Sequence, residues 1–360
     1  MSQILALRRK LRDAHGVTLI VVAVMLVVLL AFAALAIDIG YAAVVRNELQ
    51  DVSDGAALAG ARQLGAIYEA MTIPQQQAYV CTDPSLINAA VTSVGSLNQA
   101  GNVSISIPTG DIQIGDWDAA TKTFTPGPNQ PDAVQVLTRR DSTANGPVST
   151  FFANVLGISA YDSRANAVAA LTGTSKIEGG DLIPVGISKD WIESTPQFCG
   201  QPIKFYPSNQ ATGCAGWNTY TNSPAADSKL RKDILEPWVA GTYTSPEAQL
   251  PLSFEFTGGT LSNPTFDAFN NLFNKMKLLD GDGDDTAWSV FVPVYDNGTG
   301  CGNPTGSLPI AGFAAAKITA VLYAPEKTIV AQVICKLVEP SSRGGGGEYG
   351  VKGAIPGLVR

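Results

Sequence analysis

Hydrophobic positions are concentrated near the N-terminus, in one stretch long enough to cross a lipid bilayer. Residues 17–37 contain no charged side chain. An α-helix needs about 20 apolar residues to cross a hydrocarbon core of about 30 Å. The pattern therefore predicts a transmembrane helix over residues 17–37, preceded by a basic flank over residues 1–16.

The flanking charges predict the orientation of this helix. Arg8, Arg9, Lys10 and Arg12 precede it, and positive charge favours the cytoplasmic side. We therefore expect a cytoplasmic N-terminus and an exported remainder. The alternative is a signal peptide cleaved after Ala36, although the apolar stretch exceeds the 7–15 residues of a signal core.

The helix is predicted to continue well beyond the membrane, over residues 38–72. Apolar positions recur there at spacings of three and four, and the first proline is Pro74. Small residues in this extension allow close approach of another backbone. We predict them as a helix interaction surface that packs on the protein's own sheet or, alternatively, on other subunits: Gly55, Ala56, Ala59 and Gly60.

Alternating apolar and polar positions predict an α/β unit over residues 73–172. Residues 149–156 are expected to form a short helix capped by Ser149. The alternation typical of half-buried strands occurs at residues 103–107, 111–117, 133–138 and 158–171.

A β-rich exported domain is predicted over residues 173–343. Helices are expected at residues 226–236 and 264–279, the second with Asn263 as its cap. Four consecutive glycines then predict a flexible linker and C-terminal segment over residues 344–360. The fold class is therefore α+β. The candidate strands are 182–187, 202–206, 252–256, 288–295, 311–323 and 328–338.

The amino-acid composition argues against several classes of function. Charged residues make up 15% of the chain, the net charge is −7, and His15 is the one histidine. The acidic balance argues against nucleic-acid binding, and the histidine count argues against most histidine-based catalysis. Neither a G-x-S-x-G elbow nor a phosphate-binding loop occurs. We therefore predict no enzyme activity, with catalysis by carboxylates alone, as in glycoside hydrolases, as the open alternative.

Five cysteines in an exported chain favour disulfides. Because each pair would lie within one β region, the predicted pairings are Cys199–Cys214 and Cys301–Cys335, with Cys81 free. The alternative is five reduced, packed thiols.

An acidic run resembles half of a calcium loop, with Asp280, Asp282 and Asp284 as candidate ligands. Asp285 and Phe291 occupy the positions where an EF-hand needs glycine and glutamate. A solvated turn is the favoured interpretation, and Ca²⁺ is the alternative; no other cofactor is expected.

Two blocks of sequence motifs occur in a fixed order along the chain. The first block ends its apolar helix in an A-x-D-x-G element at residues 36–40, followed by an Ala-rich run at residues 54–61. The second covers residues 113–171 and includes Phe151-Phe152-Ala153. Together the two blocks resemble the Tad (Flp) pilus-assembly family, the TadE/TadG-like proteins. Asp38, in the first block, is expected to mark the water interface, with docking to the assembly platform as an alternative.

The resemblance implies a pilin-like α/β unit in an inner-membrane protein with its bulk in the periplasm. Some relatives are trimmed after a glycine by a prepilin peptidase and carry glutamate five residues later. Gly16 occupies the cleavage position, but Val21 stands where that glutamate is expected. The chain is therefore more similar to the unprocessed TadG-like members.

The implied function is structural. The chain would anchor, assemble or display a Flp-type pilus, with pilins or other pilus-assembly proteins as partners. The alternative is a membrane-tethered binding protein or adhesin whose C-terminal β domain binds a ligand.

Overall fold

The computed structural model describes residues 2–195, 197–205, 214–298 and 303–360, with side chains from residue 18 onward. The chain forms two compact units that interleave along the sequence, whereas contiguous domains were predicted. Unit 1 comprises Met1–Ala56, Val91–Ile112 and Val136–Ala167. Unit 2 comprises Ala57–Ala90, Gln113–Gln135 and Val168–Arg360. The sequence pattern did not show this interleaving because it arises from pairing between distant segments.

The predicted long helix is confirmed as one continuous element that ends at Glu69. No proline interrupts it, so every internal amide can donate within the helix. The α-helices of the described residues are α1 (Ser2–Glu69), α2 (Ile73–Gln77), α3 (Ser85–Leu97), α4 (Lys189–Ser194), α5 (Asp227–Lys229), α6 (Glu236–Ala240) and α7 (Asn263–Met276). A π-helical segment, Leu230–Leu235, joins α5 to α6, and 3₁₀ turns occur at Thr109–Asp111 and Ala153–Leu156.

The strands confirm the α+β class. In the described residues they are β1 (Gln99–Ala100), β2 (Val103–Ser104), β3 (Ile112–Asp118), β4 (Thr123–Pro126), β5 (Ala133–Arg140), β6 (Val148–Ser149), β7 (Ala160–Tyr161), β8 (Ser163–Ala170), β9 (Lys176–Ile177), β10 (Val185–Ser188), β11 (Pro202–Phe205), β12 (Ala215–Asn218), β13 (Ala248–Gln249), β14 (Ser253–Thr257), β15 (Trp288–Tyr295), β16 (Gly306–Leu322), β17 (Thr328–Ile334), β18 (Leu337–Arg343), β19 (Val351–Ile355) and β20 (Gly357–Leu358).

In unit 1, α1 lies against strand β5. The Ser53 hydroxyl donates to the Val136 carbonyl at 2.9 Å, and the Thr138 hydroxyl donates to the Leu49 carbonyl at 2.9 Å. Both bonds are buried, and Leu49 is fully buried between them. Apolar burial and paired polar groups together hold this helix face on the strand.

Unit 2 contains a sheet of seven described strands in the order β11-β17-β16-β14-β12-β10-β15. β16 also pairs with β15, so five of these strands close into a ring. This is possible because β16 is long: its start pairs with β14, and its later residues pair with β15 and β17. Helix α7 buries Phe266, Phe269 and Leu272. Its N-cap position is Ser262, so the predicted cap Asn263 is wrong and lies in the helix itself.

The C-terminal residues are built into unit 2, and the predicted flexible linker is therefore wrong. β19 pairs in parallel with β18, and β20 pairs with Ala169 and Ala170 of β8. The glycines permit close backbone contact: the Gly346 amide donates to the Gly173 carbonyl at 2.8 Å. A Cβ atom at Gly346 would collide with the Thr174 carbonyl.

The predicted helix over residues 149–156 is also wrong. β6 occupies its start, and a single 3₁₀ turn, Ala153–Leu156, occupies its end. Ser149 pairs with Ala160 in a short antiparallel ladder, which removes it from the capping position. Helix α3 was not predicted, and residues 328–338 contain two strands instead of one.

Candidate functional site

The apolar start of α1 exposes its side chains. Among the described residues, one helix is long and apolar enough to cross a membrane, and its apolar segment has no buried residues. Leu19 is 73% exposed and Leu29 is 66% exposed. A helix from the core of a soluble protein would bury such side chains, so their exposure is consistent with association with a membrane.

Asp38 lies near the end of this apolar surface, and its side chain contacts the backbone of residues 151–153. Its carboxylate accepts backbone hydrogen bonds from Phe151 at 2.8 Å, Phe152 at 3.0 Å and Ala153 at 2.6 Å. The side chain is buried at 7% exposure. Three amide donors satisfy a carboxylate that burial would otherwise destabilise.

The turn that Asp38 holds carries large exposed apolar side chains. We call residues 150–158 the apolar turn. Val155 is 86% exposed, Leu156 is 81% exposed and Phe151 is 61% exposed. Phe151 also meets the Tyr41 ring edge to face, with ring centroids 5.1 Å apart. The exposed side chains of the turn therefore form one continuous apolar surface with those of α1.

A cavity of about 210 Å³ separates the apolar turn from α1. Ala31, Ala34 and Leu35 line it on the helix side, and Phe152, Ala153, Val155 and Leu156 line it on the turn side. Among the described residues that line it, Asp38 is the one charged residue, and it accepts hydrogen bonds from the amides of residues 151–153. The other lining residues present mainly carbon surface to the cavity.

Sequence reasoning missed the contact between Asp38 and the apolar turn. The bonded residues are more than 110 positions apart, so no local pattern relates them. The available signal was that both lie in motifs of the family resemblance. Asp38 belongs to the A-x-D-x-G element, and Phe151-Phe152-Ala153 belongs to the second block.

The small residues predicted as an interaction surface are buried or half-buried by other residues of the same chain. Ala56 is fully buried, Gly60 is buried, and Gly55 and Ala59 are half-buried. A Cβ at Gly55 would lie 3.5 Å from the Val94 side chain, an ordinary packing distance. A contact between these residues and other subunits stays a prediction.

The three aspartates of the predicted calcium loop bond to their own loop and to a lysine. Asp280 accepts from the Ser289 amide at 3.0 Å, and Asp282 accepts from the Ser289 hydroxyl at 2.8 Å. Asp284 pairs with Lys317 at 2.8 Å, a contact that lowers the pKa of this carboxyl.

Within the described residues, no three His, Cys, Asp or Glu side chains converge as a metal site. The three aspartates thus stabilise a turn through the hydrogen bonds and the ion pair of their carboxylates. Calcium binding stays a prediction.

The disulfide pairing differs from the predicted one. Cys199 bonds Cys335, across 136 residues, so the predicted Cys199–Cys214 and Cys301–Cys335 pairs are wrong. The reason is sheet order: β11 pairs with β17, which brings the residues flanking these strands together. Cys214 is disulfide-bonded, Cys81 is a buried free thiol, and Cys301 lies outside the described residues.

Unit 2 contains a cleft of about 340 Å³ that we call the acidic cleft. Its lining includes Asp181, Asp280, Asp282 and Glu339. Burial raises the pKa of Glu339 to about 7, and the negative charge of Asp181 acts in the same direction. Burial also raises the pKa of Asp181 and of Asp280. These carboxyl groups would favour a cationic or hydrogen-bonding ligand.

Comparisons with known proteins bear on the N-terminal part of the chain. Residues 16–63 match the Flp pilus-assembly TadE/G-like family, and residues 59–169 match the Tad-like Flp pilus-assembly family. No curated protein matches the chain, and no solved structure matches it. Asp38 lies in the first matched segment and the apolar turn in the second, so their contact joins the two. Residues 16–169 of this chain are therefore similar, in two consecutive segments, to the Tad families of Flp pilus-assembly proteins.

Proposed function

We propose that this chain is an inner-membrane-anchored, non-catalytic structural component of Flp/Tad-type pilus assembly. The observation that carries the proposal is the match of residues 16–169 to both pilus-assembly families. The matched segment begins with the exposed apolar part of α1, which continues as one helix into the folded residues of unit 1. Such a helix couples a membrane anchor rigidly to an exported body.

The proposed topology places the N-terminus in the cytoplasm and the bulk of the chain in the periplasm. Four basic residues precede the apolar segment, which supports this orientation. The disulfide between Cys199 and Cys335 supports an oxidising compartment. The proposed partners are pilins or other pilus-assembly proteins, and the proposed subtype is TadG-like.

The intact mass of the protein extracted from membranes tests the anchor. We expect the full-length mass, 37.6 kDa. Loss of residues 1–16 would instead mean prepilin-type processing despite Val21. Loss of residues 1–36 would remove the anchor and contradict the proposal. Carbonate washing of the same membranes provides the control, since an anchored chain stays in the pellet.

Contact with other subunits is best tested at Ala59. Ala56 is fully buried, so a large side chain there would disrupt the fold and say nothing about partners. Ala59 is half-buried and accepts a larger group at less cost. We expect Ala59→Leu to reduce the number of pili per cell, whereas Ala59→Ser leaves it unchanged. Equal pilus numbers in both variants would contradict a subunit contact at this position.

A second candidate function is a membrane-tethered binding protein, or adhesin, and the acidic cleft is the observation that favours it. In that case Glu339→Gln would reduce attachment of cells to a surface while leaving pilus numbers unchanged. Loss of pili upon deletion of the whole chain would favour the assembly function instead.

A further inference from the structure

We propose that the apolar turn, residues 150–158, inserts into the periplasmic leaflet of the membrane beside α1. The inference rests on the proposed function, because it requires α1 to be a membrane anchor. It adds a second point of attachment, which would fix how unit 1 stands on the bilayer.

The apolar turn lies beside the last residues of the apolar segment of α1. Phe152, Ala153, Val155 and Leu156 share a cavity with Ala31, Ala34 and Leu35. These helix residues precede the end of the apolar segment by two to six positions. At 1.5 Å per residue they lie roughly 3–9 Å inside that end. Amphipathic segments at membrane surfaces reach a similar depth of about 5–10 Å.

Most of the exposed side chains of the turn are apolar. Val155 and Leu156 are 86% and 81% exposed, and Phe151 and Ile158 are more than half exposed. No charged residue occurs between Asp141 and Asp162. Water would be an unfavourable environment for this surface, whereas lipid is available beside the adjacent helix.

Six backbone amides of residues 151–158 donate hydrogen bonds within unit 1, which lowers the free-energy cost of moving the turn out of water. The amides of Phe151, Phe152 and Ala153 donate to Asp38. Those of Val155, Gly157 and Ile158 donate to carbonyl groups of the turn itself. The Thr150 hydroxyl donates to the Ile158 carbonyl at 2.5 Å. An irregular segment with so many satisfied donors can leave water at low cost.

Tyr41 supports the same placement. It lies one helical turn beyond Asp38 and contacts Phe151. Tyrosine is enriched where a bilayer meets water, because its ring is apolar and its hydroxyl is polar. Asp38 and Tyr41 would then mark the interface, with Val155 and Leu156 on its lipid side.

The test measures depth with spin labels on the full chain, in vesicles of phosphatidylethanolamine and phosphatidylglycerol. Labels are placed at Leu156→Cys, at Leu30→Cys as the lipid reference, and at Leu97→Cys as the matched control. Leu97 is a leucine of unit 1 with the same 81% exposure as Leu156, outside the apolar surface of α1. Frequent collisions of a spin label with oxygen indicate a lipid environment, and frequent collisions with a water-soluble nickel chelate indicate water. The unsubstituted chain, treated with the same label, provides the background signal.

We expect the label at residue 156 to resemble that at residue 30, with a ratio of oxygen to nickel collisions several-fold above that at residue 97. A label at residue 156 as accessible to nickel as that at residue 97, with residue 30 in lipid, would overturn the inference and leave the anchor intact. Nickel access at residue 30 would overturn both. Shielding of residue 156 in native membranes but not in vesicles would assign the surface to a protein partner and overturn insertion into lipid.

Discussion

Replacement of Asp38 should destabilise the apolar turn and leave the rest of unit 1 unchanged. Its carboxylate accepts three backbone amides, and hydrogen bonds to a charged group contribute about 1.5–3 kcal/mol. Asp38→Asn keeps the shape but removes the charge and one acceptor. We expect amide hydrogen exchange at residues 151–153 to accelerate roughly ten- to a hundred-fold, because about 1.4 kcal/mol corresponds to a factor of ten.

The matched control for Asp38→Asn is Asp51→Asn on the same helix, because Asp51 is exposed. Exchange at residues 151–153 should be unchanged in that variant. If the two variants exchange at the same rate there, Asp38 does not stabilise the apolar turn.

Glu339 should make the stability of unit 2 dependent on pH. Its pKa is raised by burial from an ordinary value of 4.5 to about 7, so the folded state binds the proton more tightly than the unfolded state. The stabilising contribution is complete below about pH 4.5 and is lost as the pH rises through about 7. Thermal unfolding at pH 5 and pH 8 should show a smaller difference in Glu339→Gln than in the original chain.

The control for Glu339→Gln is Glu326→Gln, since Glu326 is exposed. That variant should keep the original pH dependence. An unchanged difference between pH 5 and pH 8 in Glu339→Gln would show that this carboxyl titrates at its ordinary pKa.

The aspartates at residues 280–284 allow a direct test of the calcium hypothesis. Because Asp280 and Asp282 accept bonds from Ser289 and Asp284 pairs with Lys317, we expect no change in Tm between added Ca²⁺ and a chelator. A Tm raised by Ca²⁺ and lowered again in Asp282→Asn would establish a calcium site instead.

At the scale of elements, the local sequence pattern predicted helices and strands whose formation depends mainly on residues close together in the chain. β15 spans Trp288–Tyr295, the bounds predicted from the sequence, and α7 occupies most of the helix predicted over residues 264–279. The pairing of β16 with three partners was not predictable, because strand order depends on contacts between distant residues. The same limit applies to the binding of the apolar turn by Asp38.

The disulfide is the element-scale feature most open to test. Proteolytic fragments separated without reduction should contain Cys199 joined to Cys335. In the chain-entropy model, closing a loop of this length contributes about 5 kcal/mol. The double variant Cys199→Ala with Cys335→Ala should therefore lower the free energy of unfolding of unit 2 by up to that amount. A fragment joining Cys199 to Cys214 would contradict the strand pairing of β11 with β17.

At the scale of the whole molecule, the sequence predicted the class of protein better than its architecture. The apolar segment and the ordered motifs identified the pilus-assembly family, and the family matches confirm that resemblance over residues 16–169. The interleaving of the two units and the integration of the C-terminal residues required the structure. Gly346 illustrates the reason, since a glycine run indicates flexibility and close backbone packing equally well.

The central claim is that this chain, held in the membrane by α1, is needed for Flp pilus assembly. The most direct measurement counts pili on cells that lack the chain and on cells complemented with variants. Leu26→Arg with Leu29→Arg places two charges in the apolar segment, each costing about 2.5–3.5 kcal/mol near the centre of a bilayer. The matched control is Leu26→Val with Leu29→Val.

We predict that deletion abolishes pili, that the original chain and the valine variant restore them, and that the arginine variant does not. Normal pilus numbers on cells lacking the chain would contradict the account.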